Sequence, residues 1–152
     1  MTEKSMLLRE TMRRLERRIV LDENYLRSCC GISLTQCHAM VEIGRAGSTS
    51  IAGLSKKLGL DNSTVSRAVE ALVGKGYASR ATDPNNRRFV TVSLTGKGLM
   101  EFNAIENSMN IYYEKLLDAI EEDKRDQVLE SIQILIQVVC EVGVGEIGAQ
   151  GC

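Results

Sequence analysis

Five side chains near the middle of the sequence, Asn62, Ser63, Thr64, Ser66 and Arg67, combine short hydrogen-bonding groups with one long guanidinium. At the start of a helix such a set can meet base edges in the major groove, where each base pair presents its own order of donors and acceptors. A second polar cluster follows, Asp83-Pro84-Asn85-Asn86-Arg87-Arg88. Paired guanidiniums make the tip of a hairpin polar and basic, as contact with phosphates needs. Lys75 adds a cation between the two clusters. Each feature also has a plainer use. Ser63 and Thr64 fit helix capping, and Arg87 and Arg88 fit a solvated hairpin. Their combined placement favours nucleic acid.

A different chemistry gathers at Cys29-Cys30 and Cys37-His38, which bring three thiols and the single histidine within ten residues. A helix N-terminus lowers the pKa of a thiol, and the thiolate is both nucleophile and soft-metal ligand. A thiophilic metal or metalloid ligand (copper(I), zinc, trivalent arsenic) or an oxidant would act there. Cys37 equally reads as a small apolar residue holding a helix start, and buried thiols are common. Cys140 lies on an apolar stripe, and Cys152 is the last residue. No cofactor is implied with certainty.

Charge is divided along the 152 residues although the formal net charge is only −1. Residues 50–98 carry +5 and residues 99–152 carry −8. Phosphate affinity depends on local basic surface rather than on the whole-chain balance. No glycine-rich nucleotide loop, paired-histidine motif or Ser/His/Asp set stands out, so catalysis is not expected. No run of about 18 apolar residues predicts a membrane span. The N-terminus, MTEKSMLLRETMRRLERR, lacks the apolar centre of a secretory signal. A cytoplasmic protein with reduced thiols is therefore the expectation.

The elements that must position these residues are legible in outline. Leu8, Met12, Leu15 and Ile19 recur at helical spacing over residues 2–26, opposite an arginine-rich face. Ser33-Leu34-Thr35-Gln36 forms a capping box opening a helix to Arg45, with Ile32 and Cys37 placed as a hydrophobic staple. A short helix over 50–58, a turn at Gly59-Leu60 and a second helix over 62–75 make a helix–turn–helix. Phe89–Leu94 alternates and is β-branched, so it reads as a strand pairing back to 77–80 across the basic tip. Two long amphipathic helices follow, over 95–120 and 123–142. Together with the first helix they carry more apolar positions than one small lobe can cover.

LSKKLGLDNSTVSRAVEALVGKGYASR (54–80), DPNNRR (83–88) and VTVSLTGKG (90–98), in this order, resemble the MarR (multiple-antibiotic-resistance regulator) family of winged-helix regulators. The likeness extends over almost the whole length. It implies that Ser63, Thr64, Ser66 and Arg67 read bases or fix phosphates, that Arg87 or Arg88 enters the minor groove, and that Asp83 braces those arginines. The family pattern has an acid directly before the arginine pair. Here that position is Asn86, so the carboxylate that usually orients the first arginine is missing.

The fold expected is mainly α with a small β-hairpin wing, in the order α-α-α-α-β-β-α-α. A single domain spans 1–152, with dimerisation helices at 1–32 and 99–142, a winged helix–turn–helix lobe at 48–98 and a flexible tail at 143–152. The expected function is that of a homodimeric, sequence-specific DNA-binding transcriptional regulator. It would act as a repressor on a pseudo-palindromic operator. An effector would release it, either a small organic molecule or a thiol-directed metal, metalloid or oxidant. The competing reading is a winged-helix protein–protein interaction module without specific DNA binding, which would need no basic hairpin tip.

Overall fold

A computed structural model describes the backbone of residues 2–27, 31–83 and 86–147, and the side chains of 2–21, 31–82 and 90–142. The element order is α1 (Glu3–Arg27), α2 (Leu34–Ala46), β1 (Ser48–Ser50), α3 (Ile51–Leu58), α4 (Asn62–Gly74), β2 (Ala78–Asp83), β3 (Asn86–Leu94), α5 (Gly96–Asp118) and α6 (Glu122–Ile147). It matches the expected order with one addition, the short strand β1.

The helix starts follow from local hydrogen bonding. Ser33 takes the backbone N–H of Gln36, and the Gln36 side chain takes the N–H of Ser33, completing the capping box. Ser50 caps α3 through the N–H of Gly53 at 3.0 Å. α3 ends at Gly59, whose φ of 64° lies in the left-handed region that a side chain disfavours. Thr95 caps α5 through the N–H of Gly98 at 3.0 Å.

Chain segments 1–109 and 110–152 form two compact units. In the first, the helix–turn–helix, α2 and the sheet enclose a core of Met40, Ile43, Leu54, Val65, Val69, Leu72 and Val92, all fully buried. Each such side chain contributes about 1.5–3 kcal/mol of burial before entropy is set against it. Ile32 and Cys37 belong to this core, and Phe102 and Met109 of α5 pack on it. α1 leaves Leu7, Leu8, Leu15 and Leu21 exposed. The second unit holds the end of α5 and all of α6, and none of its described side chains is buried. α6 runs on through Gly143 and Gly145 to Ile147, past the end its apolar stripe suggests. A glycine costs a helix about 1 kcal/mol but does not break it as proline would.

The sheet is antiparallel in the order β1-β3-β2. β1 pairs Ser48, Thr49 and Ser50 with Ser93, Val92 and Thr91. β2 runs against β3 from Ala78↔Leu94 to Thr82↔Val90, and then the register breaks, with Asp83 opposite Asn86. Both strands therefore extend farther into the polar tip than expected. Residues 87–89 fall within the break, and residues 84 and 85 lie outside the described residues.

Candidate nucleic-acid interface

α4 is held to the lobe by Val65, Ala68, Val69 and Leu72, spaced three and four apart and all buried. That face fixes its rotation. Asn62, Ser63 and Arg67 are consequently exposed and Thr64 and Ser66 half-buried, along the outer face of the first turns. The five residues singled out in the sequence are thus brought together at one end of one helix.

Asp61 is the residue that sequence reading missed at this end. Its carboxylate caps α4 by accepting the backbone N–H of Thr64 at 2.8 Å. It also accepts the hydroxyl of Ser63 at 2.5 Å and that of Thr64 at 2.6 Å. The bond from the Ser63 hydroxyl, followed by those from Thr64, holds its carboxyl far below the usual range. Asp61 is therefore an anion at any ordinary pH. The signal was available, because Asp directly before a helix with a helical N–H three residues on is an N-cap pattern.

Lys75 stands at the opposite end of α4, whose 13 residues separate it from Asn62 by about 20 Å at 1.5 Å per residue. Its ammonium donates to the carbonyl of Gly31. Its own carbonyl accepts from the ammonium of Lys97 at 2.9 Å. Lys75 is not gathered with the residues at the start of the helix.

The base of the hairpin is fastened to the same helix. Lys97 places its ammonium 4.6 Å from the centroid of the Tyr77 ring, an attraction between a cation and the ring's negative face. Thr95 donates its hydroxyl to the carbonyl of Gly76 at 2.6 Å, and its N–H to that of Tyr77 at 3.0 Å. Gly98 is buried so closely that a Cβ there would lie 1.9 Å from the Tyr77 carbonyl oxygen. Arg80 of β2 reaches Glu70 of α4 at 3.8 Å. The hairpin thus leaves the lobe at a fixed angle to α4. The side chains of Asp83, Arg87 and Arg88 lie outside the described residues.

Cys37 is buried in the core beside Ile32, as a staple residue would be, while His38 next to it is exposed. Cys140 on α6 is exposed. Cys29 and Cys30 lie outside the described residues. Among the described residues no group of three or more His, Cys, Asp and Glu side chains could hold a metal ion. None of the described helices is long and apolar enough to cross a membrane.

The model of the MarR family matches residues 32–90. Among relatives, an HTH-type transcriptional regulator of Bacillus subtilis, YdgJ, is 24% identical over 103 residues. That alignment takes in 68% of this chain and 63% of the relative, so the chain spans under two thirds of its length. Among solved structures, Streptococcus pneumoniae FabT in complex with DNA superposes with a TM-score of 0.81 at 23% identity. The superposition covers 93% of this chain and 100% of that one. A MarR transcriptional regulator from Methanosarcina mazei follows at a TM-score of 0.76 and 22% identity, covering 91% and 99%.

Proposed function

We propose that this chain is a DNA-binding transcriptional regulator of the MarR family, whose model matches residues 32–90 and whose winged-helix fold it shares. The observation that carries the proposal is the presentation of α4. Its buried face is used up by the core, and its first turns offer Asn62, Ser63, Thr64, Ser66 and Arg67 outward beside a hairpin fastened to the same helix. This matches the way a helix–turn–helix delivers the start of its second helix to base edges. FabT, with the same fold, was solved bound to DNA, which supports double-stranded DNA as the partner.

The working unit is a homodimer. Exposed Leu7, Leu8 and Leu15 on α1, and Ile132, Ile136 and Val139 on α6, are apolar surface that a second copy would cover. A two-fold axis then sets two α4 helices about 34 Å apart, one helical turn of DNA, and makes the operator pseudo-palindromic. The domain plan follows: residues 1–32 and 99–142 associate, and residues 48–98 grip DNA. Repression follows if the operator overlaps a promoter, with release by a small organic effector. The burial of Cys37 in the core favours that route over thiol chemistry.

The test is fluorescence anisotropy with the duplex upstream of the chain's own gene, over a salt series. Binding whose logarithm falls linearly with the logarithm of salt, and which exceeds binding to scrambled duplex, is the expected result. Equal affinity for both duplexes would leave the protein-interaction reading in its place. Arsenite, copper(I) and a mild oxidant, applied to wild type and to a Cys29→Ser/Cys30→Ser/Cys37→Ser variant, separate the thiol route from the organic one. Release of wild type alone would establish the thiol route.

A further inference from the structure

The hydroxyl protons of Ser63 and Thr64 both point at Asp61, and this restricts what those side chains can say to DNA. A hydroxyl has one proton and two lone pairs, whereas an ionised carboxylate only accepts. With their protons engaged, Ser63 and Thr64 face outward as acceptors. We propose that Asp61 is a specificity-determining residue that sets this polarity, so that the start of α4 reads exocyclic amino groups rather than phosphates or base carbonyls. The proposal rests on the DNA-binding reading above and deepens it.

In the major groove the only donors are the N6 amino group of adenine and the N4 amino group of cytosine; thymine O4, guanine O6 and the purine N7 atoms accept. A phosphate oxygen also only accepts. Neither hydroxyl can bond a phosphate or a base carbonyl without leaving Asp61, and charge-assisted bonds of 2.5 and 2.6 Å are the stronger kind. The carboxylate stays ionised at any ordinary pH, since the same bonds depress its pKa, so the polarity does not fade in neutral solution. Arg67 is the complement, because a guanidinium only donates and matches guanine O6 and N7. It lies three residues after Thr64 and four after Ser63, on the same face. A half-site should therefore pair an amino-bearing base opposite Ser63 and Thr64 with a guanine opposite Arg67.

Asp61→Asn tests the polarity. The introduced amide oxygen can still accept the Thr64 N–H and the Ser63 hydroxyl and so keep the cap, but its NH2, in place of the other carboxylate oxygen, donates to the Thr64 hydroxyl and turns that proton outward. A randomised duplex pool is first enriched on wild type, Asp61→Asn and Ser63→Ala/Thr64→Ala, each checked for an unchanged melting temperature. Wild type should select adenine or cytosine at one position of each half-site, and the double alanine variant should lose that preference. Asp61→Asn should admit thymine or guanine there and bind scrambled duplex more tightly. Purine in place of the selected adenine, or pyrimidin-2-one in place of cytosine, should weaken wild type about tenfold, the discrimination of one good base contact. The same replacement should cost Asp61→Asn under about threefold. Selection of thymine or guanine by wild type, or indifference to loss of the amino group, would overturn the proposal and leave DNA binding intact. A wild type that enriches no sequence would overturn both. An Asp61→Asn variant that melts lower but keeps the wild-type preference would mark Asp61 as a cap alone.

Discussion

The helix–turn–helix lobe and α6 are both built on apolar stripes at helical spacing, yet they end in opposite states. In the lobe, Leu54, Val65, Val69 and Leu72 are fully covered. On α6, Ile134, Ile136 and Val139 are more than half exposed, at 56%, 58% and 59%. The two regions also differ in charge, +5 over residues 50–98 against −8 over 99–152. The lobe finishes its core within one chain and keeps a polar, basic exterior. The acidic C-terminal region keeps its apolar surface for something else. An apolar stripe shows that a helix has a face to bury, not where the cover comes from.

The largest expected effect is inside the lobe. Leu72→Ala should destabilise it by about 2–5 kcal/mol, the cost of a lost side chain and the cavity left behind. Chemical denaturation followed by circular dichroism measures it, and a loss below about 1 kcal/mol would contradict the closed core. Ile136→Glu sharpens the contrast from the other side. On the dimer reading it should weaken self-association by more than about tenfold, because a carboxylate would be driven into an apolar interface. Analytical ultracentrifugation decides this, and unchanged association would locate the interface elsewhere.

Binding variants probe the lobe's polar exterior. Arg67→Ala should lose about 1–3 kcal/mol on the selected site and relax base preference, whereas Arg87→Ala should flatten the salt slope by about one unit for any sequence. Anisotropy titrations on selected and scrambled duplex separate the two, and identical behaviour of both variants would remove the division of labour. The smallest effect belongs to Arg45, which pairs with Glu106 of α5 at 3.1 Å and with Glu42 at 3.7 Å. Its side chain is more than half exposed, so Arg45→Ala should cost at most about 1 kcal/mol. A melting curve showing a larger loss would give this surface network a weight in the fold that its exposure denies.

What the sequence by itself determined was whatever depends on near neighbours in the chain. The capping box at Ser33 and Gln36, the turn at Gly59, the buried stripe of α4 and the strand character of Phe89–Leu94 are each decided within a few residues, by hydrogen-bond reach and by side-chain period. Tertiary structure alone decided the rest, because the partners are distant. Ser48-Thr49-Ser50 is too short to carry a period and becomes a strand only because Thr91–Ser93 lies beside it. Lys75, one cation among several on paper, has its ammonium drawn to the carbonyl of Gly31. Gly98 is confined by Tyr77, and Gly44 by the Phe102 ring, which a Cβ would meet at 2.7 Å. Asp61 stands between the two cases. The cap was written in the local sequence, but the convergence of two hydroxyl protons on one carboxylate needed coordinates, since a hydroxyl's direction depends on where its acceptor stands.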